Sequence, residues 1–140
     1  MYKLTIEQDL NIGRELRLPY DIDNKDFGLQ WKVVVVLESQ TLNDWGMAVD
    51  FSHVQNLIKE HDGHFLQHVR QTEQTAEFTT YPGKHIHCPF PPTMENLAAF
   101  LWEEISLYLK QSPHYKDIRT LKVCSVEIQA DGGSVCYAPA

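Results

Sequence analysis

Trp31-Lys32-Val33-Val34-Val35-Val36-Leu37 leads, through the turn-rich Thr41-Leu42-Asn43-Asp44-Trp45-Gly46, into Met47-Ala48-Val49-Asp50-Phe51-Ser52. The first run is apolar and β-branched, the composition of a strand. The middle residues are turn formers, and Met47 to Asp50 resumes an extended pattern. Ser52 then reads as a helix N-cap, with Gln55 three residues on to reach back to its backbone N–H. Val54, Leu57 and Ile58 give that helix one apolar face.

Outward from this unit, residues 2–18 read as extended, with a break at Asn11-Ile12-Gly13. Tyr20 to Lys25 is a polar, Asp-rich loop; its acids lack calcium-loop spacing and read as a solvated turn. A second helix opens at Thr93 as N-cap, with Glu95 against the positive end of the helix dipole and Leu97, Leu101, Ile105 and Tyr108 as its buried stripe. Pro113 lies beyond its end. Arg119 to Ile128 reads as a strand, Asp131-Gly132-Gly133 as a turn, and Ser134 to Tyr137 as the returning arm of a hairpin. Two strands, two helices and two strands describe an α+β sandwich of ββααββ order, an antiparallel four-stranded sheet with both helices on one face.

The 140 residues suffice for one domain, 1–140, with a sizeable core. Net charge is −7 with the acids dispersed, which argues against a nucleic-acid surface. No stretch reads as a secretory signal or a membrane span. Cys88, Cys124 and Cys136 make no paired framework and suit a reducing, cytoplasmic compartment. Cys124 and Cys136 fall in strands and read as small hydrophobes.

Histidines cluster twice. If the first helix continues, His61, His64 and His68 follow at spacings of three and four and share a face. That pattern serves a metal or a polar, frayed helix end; it lacks the carboxylate of a His-Glu-x-x-His motif. Residues 69–92 show no periodicity, end in Pro89-Phe90-Pro91-Pro92, and read as a long loop, a lid or a subunit-contact arm. Within it, His85 and His87 would point to one side of an extended segment, beside Cys88, and make a weak alternative metal pair.

Glu127 stands out among candidate binding residues. It sits late in an apolar strand, where a carboxylate without a partner is costly. A salt bridge, an edge position or a ligand would each satisfy it.

Three motifs in order resemble the 6-pyruvoyltetrahydropterin synthase family, which includes the 6-carboxytetrahydropterin synthases. Gly46 to Phe51 fits its Gly-x-x-x-Asp-Phe signature, and Pro92-Thr93-Met94-Glu95 its Pro-Thr-x-Glu helix start. Val123 to Glu127, with Ser134 to Tyr137, fits its Val-x-x-x-Glu strand and return. The resemblance implies the tunnelling fold and a homo-oligomer, a hexamer of two trimers or a trimer. It implies a pterin or purine-like ligand whose amidine-like edge is held by Glu127, with Thr93 and Glu95 nearby.

The departures bear on chemistry. The family's His-Gly-His triplet falls on Phe27-Gly28-Leu29, and its first-strand histidine near Leu16. Its catalytic cysteine would lie around Asp23. Zinc takes imidazole, thiolate or carboxylate donors, which Leu16, Phe27 and Leu29 lack, so no zinc is expected there. The family's Asp-His proton relay aligns either on Asp62, followed by Gly63, or on Gln67-His68; Asp62 and His68 are thus the candidate catalytic residues, and no intact pair remains. Three readings follow. One is the family's carbon–oxygen lyase acting on 7,8-dihydroneopterin triphosphate through a rearranged site. Another is metal-free chemistry of aldolase or epimerase type. The third, which the apolar replacements favour, is ligand binding without turnover.

Overall fold

The long antiparallel ribbon of β1 (Tyr2–Leu16) and β2 (Asn24–Ser39) forms the spine of the computed structural model. It registers Tyr2 with Ser39, Ile6 with Val35 and Leu10 with Trp31. The described residues are 1–16, 24–68 and 85–140, with the side chains of 24–27 left aside. Strand side chains alternate between faces. One face of the ribbon therefore carries Ile6, Leu10, Ile12, Val33, Val35 and Leu37, all buried, and the other Glu7, Asp9 and Lys32.

β5 (Lys122–Ala130) adds antiparallel to β2, and β6 (Gly133–Tyr137) folds back on β5. On the other side β3 (Phe65–His68) joins β1 in parallel, and β4 (His85–Cys88) joins β3 in parallel. The sheet runs β4-β3-β1-β2-β5-β6. Helices α1 (Phe51–Lys59) and α2 (Met94–Gln111) cover its apolar face, burying Val54 and Ile58 from α1 and Leu97, Leu101, Ile105 and Leu109 from α2 in one core. The expected stripe on α2 is thus present, with Tyr108 half-buried at its margin.

The α+β class and the helix layer stand, but the sheet differs from the one expected. It has six strands rather than four, and it is mixed rather than antiparallel. The extra strands come from segments read as helix and loop. α1 stops at Lys59, and the turn through Gly63, whose φ of +77° suits a residue without Cβ, docks on β1. Gly63 N–H donates to the Asn11 carbonyl at 2.7 Å, and Gly13 N–H to the His64 carbonyl at 2.9 Å. Phe65 and Leu66 are then buried as strand residues. Of the stretch read as loop, His85–Cys88 is a strand, and 69–84 lies outside the described residues. The Tyr20–Lys25 loop also falls largely outside them, with Asn24 and Lys25 opening β2.

Two smaller corrections concern α1 and β1. The N-cap is Asp50, whose Oδ1 accepts from Ser52 N–H at 2.9 Å. Gln55 instead donates to the Glu7 carbonyl across to β1. The expected break near Gly13 is a register shift inside one continuous strand: Ile12 faces Leu29 and Arg14 faces Asp26, so Gly13 opposes both Phe27 and Gly28.

Candidate functional site

Val126 and Ile128 are fully buried against the helix layer, so Glu127 between them projects from the opposite, helix-free face. β5 lies inside the sheet, with Val34 of β2 and Cys136 of β6 in register on either side of Glu127. An edge position is therefore ruled out. The Gln129 amide, two residues on along the same face, donates to Glu127 Oε1 at 2.5 Å. Lys32, in register with Gln129, pairs with Glu7 at 3.8 Å. Among the described residues Glu127 forms no ion pair, which leaves a half-buried carboxylate with Oε2 and a second lone pair on Oε1 to accept N–H donors. Next to Gln129 an open polar groove of about 480 Å³ runs along Asp9, Asn11, Lys32 and Asp131; Glu127 itself is not in its lining.

Thr93 acts as expected at the start of α2: its Oγ1 accepts from Asn96 N–H at 3.2 Å. Asn96 in turn donates to the Pro91 carbonyl at 2.9 Å. Arg14 reaches this corner from β1, donating to the Pro92 carbonyl at 3.1 Å while its guanidinium lies 4.9 Å from the Trp31 ring centre. Glu95 is exposed in the first turn. Thr93 and Glu95 thus belong to the helix layer and Glu127 to the far face of the sheet. One chain does not bring the three together.

Asp62 and His68 also fall apart. Asp62 Oδ1 accepts from Asn11 N–H at 2.7 Å and ties the turn to β1. His68 ends β3, in register with Cys88. His61, His64 and His68 share no helical face, because only α1 before them is helical. His61 instead bonds through Nε2 to Glu104 of α2 at 3.0 and 3.2 Å, with its ring edge-on to His64 and Phe100.

At the positions that the resemblance assigns to the metal ligands, Leu16 ends β1, and Leu29 faces Ile12 and packs against the core. Phe27 shares the register shift with Gly28; its side chain is outside the described set. Leucine and phenylalanine carry no donor atoms, so the family's zinc does not fit this set. The described residues hold no group of three or more His, Cys, Asp or Glu arranged for a metal. The His85 ring packs against Phe65, centres 5.3 Å apart, and His87 is exposed opposite Gln67.

One polar cluster was not anticipated from the sequence. The Tyr115 hydroxyl accepts from Asp50 N–H at 3.0 Å and lies 2.7 Å from His53 Nδ1. Two hydrogen bonds from Ser52, side chain and backbone, hold the Asp50 carboxyl below its ordinary range. Burial pushes the Tyr115 phenol up. Tyr115 stands far along the chain from Asp50 and His53, so no local signal announces the contact.

The family model of 6-pyruvoyl tetrahydropterin synthase matches residues 3–136. Among solved structures the chain is similar to two forms of Plasmodium vivax 6-pyruvoyltetrahydropterin synthase, in which a catalytic glutamate is replaced by alanine or by cysteine. TM-scores are 0.66 and 0.65 at 16% identity, over 99% of this chain and 97% of each of those. No curated protein sequence matches it. No described helix is long and apolar enough to cross a membrane. The structural likeness carries the fold, and the family model carries the lineage over nearly the whole chain: this chain belongs to the 6-pyruvoyl tetrahydropterin synthase family.

Proposed function

We propose that this chain binds a pterin or purine-like ring through Glu127, without the zinc of its family and without turnover. The observation that carries the reading is the placement of Glu127: a half-buried carboxylate inside the sheet, oriented by Gln129, with no ion pair among the described residues. Its two oxygens match the paired N–H groups of an amidine-like ring edge, and such charge-assisted pairs are roughly twice as strong as neutral ones. Val34 alongside supplies an apolar wall for a flat ring.

Thr93 and Glu95 reach the same ring only from another copy, so the reading includes a homo-oligomer, a trimer or a hexamer. The outer backbone of β4 and of β6 edges the sheet in the described residues and offers the surface for strand pairing between copies. No nucleic acid, membrane or metal enters this reading.

A second reading has support from the relatives. There a glutamate is a catalytic residue, so a carboxylate takes part in the chemistry of those proteins. Asp23 stands where this chain's family residue is expected, outside the described residues. On this reading the chain is a carbon–oxygen lyase on 7,8-dihydroneopterin triphosphate, with His68 or Asp62 moving protons, or an aldolase- or epimerase-type enzyme without metal.

Titration with neopterin, followed by quenching of its fluorescence, tests the binding role. Glu127→Gln, which keeps size but halves the acceptor capacity, is expected to weaken binding by about tenfold or more. Unchanged affinity removes Glu127 from the site. Turnover of 7,8-dihydroneopterin triphosphate, run with and without a chelator, separates the readings. Product that survives chelation supports metal-free chemistry, product that a chelator abolishes restores a metal-dependent lyase, and binding without product supports the first reading.

A further inference from the structure

Four of the chain's twelve lysines and arginines, Lys110, Lys116, Arg119 and Lys122, line one groove of about 690 Å³. The chain as a whole carries −7, and the only acidic side chain in that lining is Glu38. Glu38 is committed to Lys122, at 3.6 Å. Among the described residues Lys110, Lys116 and Arg119 form no ion pair. The three come from adjacent pieces of chain: Lys110 from the last turn of α2, Lys116 and Arg119 from the turns that lead to β5.

Beneath the cations the floor is apolar, formed by Trp102, Leu109, Tyr115 and Ile118. It is also rigid. The Trp102 indole N–H donates to the Val123 carbonyl at 3.1 Å, its ring meets Tyr137 edge-on, and the Tyr115 hydroxyl is held by Asp50 and His53. Trp102 belongs to α2 and Val123 is buried in the core beneath the helices, whereas Glu127 projects from the helix-free face and is not in this lining.

We propose that this groove is a second binding site, one that takes a small organic phosphate carrying a flat apolar body. Three cations outside any ion pair suit a dianion better than a monoanion, because each added charge gains from the same concentrated field. The apolar floor suits a ring or short aliphatic body, which inorganic anions lack. The volume is in the range of small-molecule sites. A nucleic-acid strand does not suit it, since outside the groove the chain has eight Lys and Arg against eighteen Asp and Glu.

The test uses 1-naphthyl phosphate as the probe, with the full chain, and reads the Trp102 indole N–H signal by NMR, assigned through Trp102→Phe. The expected result is a saturable shift, with affinity at least about tenfold above that for inorganic phosphate or for 1-naphthol alone. Lys116→Glu combined with Arg119→Glu weakens it by about tenfold or more while leaving the melting temperature in place, since both side chains are exposed. Glu127→Gln leaves it unchanged, which keeps this site separate from the proposed ring site. Equal binding of inorganic phosphate means counter-ion association only and overturns the proposal. So does an unchanged affinity in the doubly reversed variant. Tighter competition by a hexaglutamate peptide than by 1-naphthyl phosphate also overturns it, in favour of an acidic-peptide surface.

Discussion

The phenolic oxygen of Tyr115 lies 2.7 Å from Nδ1 of His53. That oxygen also accepts from Asp50 N–H at 3.0 Å, so one hydroxyl joins a backbone N–H and an imidazole nitrogen. One hydroxyl thus fastens the start of α1 to the turn that follows α2. Tyr115→Phe keeps the buried ring but leaves two polar groups without this partner. A loss of about 1–3 kcal/mol is expected in urea unfolding, and an unchanged midpoint would show that the hydroxyl contributes nothing.

Asp62 tests whether a family position has become structural. Its carboxylate receives Asn11 N–H at 2.7 Å and anchors the turn before β3. Asp62→Ala is expected to lower stability by about 1–2 kcal/mol, and Asp62→Asn by less, since the amide oxygen still accepts. Equal losses for the two variants would mean that charge, rather than the hydrogen bond, is what matters there.

The backbone at Gly28 requires a glycine. It sits at φ +63° in the register shift opposite Gly13. A Cβ built there meets nothing within 4 Å, so the constraint is conformational and not spatial. Gly28→Ala should destabilise by about 1 kcal/mol, with Gly28→Asn milder because asparagine tolerates the left-handed region. Thermal melts of the two variants read this directly; a milder alanine would contradict it.

The cysteines should react in a fixed order with a thiol reagent. Cys136 is exposed and goes first, Cys124 is half-buried with its thiol pushed up by burial and by Glu38, and Cys88 goes last. Burial raises Cys88 from 9.0 to about 11. Between those values the folded chain keeps a proton that the unfolded chain has released, so this thiol's contribution to stability declines as pH rises from about 9 toward about 11. Replacing Cys88 by alanine should remove that part of the alkaline decline, although it also loses apolar packing.

Much of the architecture was legible locally. Val33 to Leu37 carries its strand in composition alone, and Leu97, Leu101 and Ile105 carry theirs as a helical stripe. Glu127 was legible as an anomaly, a charge in an apolar strand. The segments that were misread are short. Phe65–His68 and His85–Cys88 have four residues each, too few for a period to declare itself, and their pairing is parallel and non-local. Histidine spacing at three and four suggested a helix there, but burial of Phe65 and the bonds from Gly13 and Gly63 to the neighbouring chain outweigh a weak local preference.

The sequence by itself determined the class, the long strands, both helices and the family. Each of these depends on side-chain chemistry or on periodicity within a few neighbouring residues. Only the tertiary structure decided that Glu127 faces away from the helices while Thr93 and Glu95 lie among them, that Asp62 is spent on Asn11, and that four cations gather over Trp102. Those are relations between distant segments. They depend on how the strands register and which face each residue turns to, and a one-residue change in register would reverse every one of those faces.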